Sequence, residues 1–172
     1  MDRTLKAIEY LLAVHVLGLL LMTLCRGVLL FSNLPMEGIK WSRAAKAMLI
    51  GVKFDNLIGS YIAALPCLIL PVVALLCGNG INRIAAKTAS CYFGLLYSVV
   101  IFIEVANARY FHFFENHLNF GVTEWFGFVG DTAGMVFGEP VNWIFLLMAV
   151  ILIALYIVAL TKIHNWYIKT IR

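Results

Sequence analysis

The chain has 172 residues, of which 63% are hydrophobic and only 13% charged, with a formal net charge of +4. Soluble domains carry about a quarter charged residues, so this composition excludes an ordinary water-soluble core and points to the bilayer. The basic residues form no run with interleaved aromatics, which argues against a nucleic-acid partner.

The chain opens on "MDRTLKAIEYLLAVHVLGLLLMTL". Its apolar run is long and no small-residue cleavage site follows, so it reads as a retained first span over 8–31 rather than a removed signal peptide. The segment 33–53 begins as a loop at Asn33, Pro35 and Gly38. From Trp41, "SRAAKAML" has the pattern of a short helix lying at the interface with its basic residues toward water. The second span is 54–77, with an extension back toward Ala44 that could also be helical. Pro66 and Pro71 lie inside it. Prolines are tolerated within spans, so a kinked helix is expected, the rival being a re-entrant pair broken at "LPCLILP".

"CGNGINRIAAK" then reads as a tight turn, and 89–108 as the third span. The segment 109–140 is too polar to span and too aromatic for a linker, and reads as a surface segment. The fourth span is 141–161. Each span can cross roughly 30 Å of hydrocarbon, which takes about 20 helical residues. The fold class is therefore all-α: a polytopic helical membrane bundle of four transmembrane helices with interfacial helices, a single transmembrane domain over 1–172. A β-barrel would show shorter, alternating segments.

With the N-terminus cytoplasmic, Arg3, Lys6, Arg83, Lys87, Lys162, Lys169 and Arg172 lie inside. Lys40, Arg43, Lys46, Lys53 and Arg109 lie outside. The excess of inner cations favours that orientation. Cys25, Cys67, Cys77 and Cys91 have no C-x-x-C or zinc-ligand spacing and read as packing residues.

Three spans carry ionisable groups toward the same side: Arg26, Asp55 and Glu104, the last followed by Asn107 and Arg109. A charge in a span costs about 2.5–3.5 kcal/mol at mid-depth unless it is paired or hydrated. Mutual pairing is expected, Arg26 with Asp55 or Glu104 and Arg109 with the acid that remains. The alternative is separate snorkelling to the headgroups, favoured for Lys53 and Arg109 at the span edges. Trp41, Lys53, Tyr110, Phe111, Phe113 and Trp125 read as interfacial residues. His112 and Glu115 share a helical face and are weak metal candidates, but His117 does not fit the same face and no second ligand set follows. His15 and His164 read as structural or interfacial. The chain has no G-x-S-x-G elbow, P-loop or H-E-x-x-H motif.

"GVKFDNL" opens the second span, and "EVANARYFHFFENHLNFGVTEW" follows about fifty residues later. Together they resemble the membrane portion of the lipoteichoic acid synthase-like family, bacterial sulfatase-related proteins of the alkaline phosphatase superfamily. The matching residues are Phe54, Asp55, Asn107, Tyr110, Phe111 and Phe113. The resemblance implies about five membrane helices in the cytoplasmic (inner) membrane of the cell envelope, preceding an extracytoplasmic catalytic domain. That domain would use a threonine nucleophile and a divalent metal on phosphoglycerol, phosphoethanolamine or sulfate esters. The catalytic domain, its nucleophile and its metal ligands are not in this sequence, so no cofactor is expected in this chain. It would be either the membrane part of a longer transferase or a naturally short relative. Its expected work is anchoring and presenting an anionic phospholipid at the outer leaflet. The alternative is a non-enzymatic helical membrane protein, such as an assembly partner or small transporter subunit.

Overall fold

The computed structural model describes residues 2–33, 41–114, 130, 134 and 137–171. Four long helices account for almost all of them: α1 (Asp2–Asn33), α2 (Trp41–Leu76), α3 (Asn79–Phe114) and α4 (Pro140–Thr170). Each is long and apolar enough to cross a membrane, so the chain is a multi-pass helical membrane protein. Large apolar side chains such as Leu20, Leu68, Leu95 and Leu147 are exposed around the bundle. In water that surface would be a liability; against acyl chains it is the expected exterior.

The helices run longer than the apolar stretches predict. The residues after Trp41 do not form a separate interfacial helix: they are the first turns of α2, which continues without a break to Leu76. The helix also runs through Pro66 and Pro71, so the re-entrant alternative is not what the chain adopts. The prolines leave the carbonyls of Ile62 and Cys67 without their usual helical donors. The turn before α3 shrinks to two residues, Cys77 and Gly78. Cys77 N–H closes α2 on the Val73 carbonyl at 2.9 Å, and Asn82 N–H opens α3 on the Gly78 carbonyl at 3.1 Å. At its other end α3 runs through Arg109 to Phe114, so the start of the predicted surface segment is helical. The remainder of that segment, including Glu115 and Trp125, lies outside the described residues, as do the side chains of His112 and Phe113. Pro140 begins α4, where its missing N–H costs nothing.

The helices alternate in direction. Arg3 bonds Asn79 at 3.1 Å, and Tyr10 stacks on Tyr167 with ring centroids 5.0 Å apart, so both ends of the α2–α3 turn and the end of α4 sit beside the start of α1. In cross-section the bundle is a rhombus. Among the described residues α1 and α3 touch along the short diagonal, while the backbones of α2 and α4 stay apart. The core is aromatic: Tyr10, Phe93, Tyr97, Tyr156 and Tyr167 are all buried.

Close approach on the short diagonal depends on Gly18. A Cβ there would overlap the ring and hydroxyl of Tyr97. Inserting side-chain volume into a filled core costs about 1–3 kcal/mol. Gly18→Leu is therefore expected to lower stability by about 3 kcal/mol, at the upper end of that range, in denaturant titrations of the detergent-solubilised chain. Gly78→Ala, where a Cβ meets nothing within 4 Å, should cost far less.

Candidate functional site

A carboxylate deep in the bundle organises the candidate site. Asp55 is fully buried, with no exposed surface. Because α2 starts at Trp41, Asp55 lies about four turns inside its helix. Its partner is Arg26 on α1. The guanidinium grips both oxygens, Nε donating to Oδ2 at 3.3 Å and Nη2 donating to Oδ1. The Arg26 side chain keeps 26% of its surface exposed.

The path of Arg26 rules out snorkelling. A Cβ on Gly51 would overlap Arg26 Cδ and Nε, so the stem runs across the bare backbone of Gly51. It ends at Asp55, one turn farther along α2, about 6 Å deeper in the bundle. A helical side chain leans toward the helix N-terminus, and on α1 that direction leads into the bundle.

Glu104 joins the pair. It lies seven residues beyond Tyr97 on α3, while Arg26 lies eight beyond Gly18 on α1, and Gly18 and Tyr97 are in contact. The two helices run the same way, so Arg26 and Glu104 leave their helices at nearly one level, about 10–12 Å from that contact. Glu104 is half-buried and interacts electrostatically with both Arg26 and Asp55. Asp55 starts deeper, and Arg26 reaches down to it.

Arg109 is bound to α4 and not to Glu104. Its Nε donates to Asn142 Oδ1 at 2.6 Å and its Nη2 to Glu139 Oε2 at 2.5 Å. Its guanidinium carbon lies 5.8 Å from the Phe145 ring centroid. The arginine thus fastens the end of α3 to the start of α4. Asn107, Tyr110 and Phe111 are half-buried near the same end. Trp41 and Lys53 are exposed on α2. Among the described residues no group of three or more His, Cys, Asp or Glu is placed to hold a metal ion. The His112–Glu115 candidate lies outside that statement. The four cysteines are free thiols; Cys25 is buried beside Arg26, whereas Cys67 and Cys91 are exposed.

Sequence reasoning missed two polar groupings. At the opposite end, Ser90 Oγ lies 2.8 Å from Tyr10 Oη, from His164 Nδ1 and from the Ala86 carbonyl. A hydroxyl has one proton and two lone pairs. If Ser90 donates to Ala86 O, then Tyr10 O–H and His164 Nδ1–H donate to Ser90. Midway along the bundle, His15 Nε2 meets Asn56 Oδ1 at 2.9 Å. A signal was present: Ser90, Tyr97 and Glu104 recur every seven residues, which places them on one face of α3.

Removing one member of a buried ion pair strands the other and costs about 3–5 kcal/mol, whereas replacing both with apolar residues is often neutral. Arg26→Ala is expected to destabilise the chain by about 3 kcal/mol, the low end of that range because the arginine is partly exposed. Arg26→Leu combined with Asp55→Leu should recover most of the loss, both measured by denaturant titration in detergent. Comparison with protein-family models, with curated proteins and with solved structures gave no match.

Proposed function

We propose that this chain is a membrane module that binds an anionic lipid headgroup at the Arg26–Asp55–Glu104 end of the bundle. In this reading it forms the membrane domain of a bacterial phosphoglycerol or phosphoethanolamine transferase, or of a sulfatase-like enzyme, as the lipoteichoic acid synthase-like motifs imply. It sits in the cytoplasmic membrane with its N-terminus inside and this end toward the outer leaflet. The catalytic work, with its divalent metal, belongs to an extracytoplasmic domain; this chain anchors that domain and presents lipid to it.

The observation that carries the reading is the half-satisfied guanidinium of Arg26. Arginine has five N–H donors in a planar fork. Asp55 takes two of them, and the side chain remains partly exposed. Asp55 fixes the fork while the outward N–H groups stay available to a phosphate, which arginine recognises well.

A second reading, a non-enzymatic membrane protein such as an assembly partner or a small transporter subunit, draws on the mid-bundle polar groups. His15, Asn56 and Tyr97 would serve a solute path better than an anchor.

Lipid binding to the full chain in nanodiscs separates the two. Phosphatidylglycerol is expected to be retained over phosphatidylcholine. Arg26→Lys, which keeps a cation opposite Asp55 but loses the fork, should weaken that preference about tenfold. Lys162→Ala, at the opposite end, should leave it unchanged. Absence of any anionic preference in the wild-type chain would remove the lipid reading and leave the second.

A further inference from the structure

The charges at the Arg26 end of the bundle do not balance. Asp55 and Glu104 are both acids, and the guanidinium beside them is already held by both oxygens of Asp55. Glu104 interacts electrostatically with Arg26 and Asp55 but forms no ion pair among the described residues. The neighbouring cations are engaged elsewhere or point away. Arg109, about a turn and a half farther along α3, is bound to Glu139 and Asn142. Lys53 lies two residues before Asp55, exposed on the opposite face of α2.

Both Arg26 and Glu104 reach the surface of the bundle. Arg26 keeps 26% of its side chain exposed, and Glu104 is half-buried. They leave α1 and α3 at nearly one level, on helices that touch. A headgroup that meets the outward N–H groups of Arg26 is therefore within reach of the Glu104 carboxylate, and it needs no cavity in the core.

The two side chains ask for opposite things. Arg26 can only donate and carries a positive charge; an ionised Glu104 can only accept and carries a negative one. Phosphoglycerol offers a phosphate and neutral hydroxyls, so nothing offsets the charge of Glu104. Phosphocholine offers a phosphate and a cation that has no N–H. Phosphoethanolamine offers a phosphate and, two methylene groups away, an ammonium with three N–H donors. It alone of the three gives both side chains a charge-assisted hydrogen bond, roughly twice as strong as a neutral one. Building on the headgroup site proposed above, we infer that this site selects an aminophospholipid, with the phosphate on Arg26 and the primary ammonium on Glu104. Asp55 holds the guanidinium in place, and Glu104 distinguishes an amine from a glycerol.

The test is retention of phosphatidylethanolamine, phosphatidylglycerol and phosphatidylcholine by the full detergent-solubilised chain, counted by native mass spectrometry. Phosphatidylcholine is the trimethylated form of phosphatidylethanolamine, so that comparison isolates the N–H groups. Phosphatidylethanolamine is expected to exceed phosphatidylglycerol by about fivefold, the worth of one partly exposed ion pair, and phosphatidylcholine to come last. Glu104→Gln keeps the shape and removes the charge. It should abolish the advantage of phosphatidylethanolamine and raise retention of phosphatidylglycerol, because a negative neighbour of the phosphate is gone. A uniform loss of all three lipids in that variant would mark a merely structural residue and overturn the assignment, as would an undiminished advantage of phosphatidylethanolamine. In the wild-type chain, phosphatidylglycerol above phosphatidylcholine with phosphatidylethanolamine no better than either overturns the amine assignment and leaves the headgroup site standing. Equal retention of all three overturns both. If Glu104→Gln does not fold, the ranking in the wild-type chain decides.

Discussion

In hydrocarbon a polar group has only the protein to bond to. That constraint accounts for the shape of this bundle. Asp55 is fully buried in α2, and the charge is tolerable only because Arg26 crosses from α1 to meet it with two donors. The crossing in turn requires bare backbone at Gly51. One acid on one helix therefore dictates a cation on a second helix and the absence of a side chain one turn away. The same logic governs Arg109, which gives one donor each to Glu139 and Asn142 where α3 ends and α4 begins.

Packing without a hydrophobic driving force relies on close contact, and small residues permit it. Gly18 lets the Tyr97 ring lie against α1, and Gly59 lets His15 and Tyr97 approach α2. These contacts bring α1 and α3 together and leave α2 and α4 apart. The aromatic core follows from that geometry. Tyr97 reaches across the short diagonal, Tyr156 packs beside it, and Tyr10 stacks on Tyr167 nearer the end. The tyrosine hydroxyls then need partners. Tyr10 finds Ser90 and Tyr167 finds Asn82, while Tyr97 and Tyr156 find none among the described residues.

The four spans and the helical class were legible because long apolar runs have one structural meaning in a bilayer. The helix ends were not. Hydropathy falls at the edge of the hydrocarbon, but helical hydrogen bonding continues past it, as it does from Trp41 to Lys53 and from Arg109 to Phe114. Arg26, Asp55 and Glu104 stood out since intramembrane charge is rare. The partner of Arg109 was hidden because Glu139 lies thirty residues on, across a segment whose path composition does not reveal. His15 looked solitary for a similar reason: Asn56, its partner, reads only as the neighbour of Asp55. The roles of Gly18, Gly51 and Gly59 could not be read at all, since a glycine acquires meaning only when the side chain lying over it is known.

The connection of Cys77 and Gly78 between α2 and α3 is too short to stretch. If α2 shifted along its axis by one turn, about 5.4 Å, α3 would be pulled with it. Asp55 and Glu104 ride on these two helices, so their vertical offset is locked by two residues at the far end of the molecule. Any motion that changes the distance between the two acids must be a tilt or a rotation, pivoting on that hairpin, and never a piston stroke of one helix past the other.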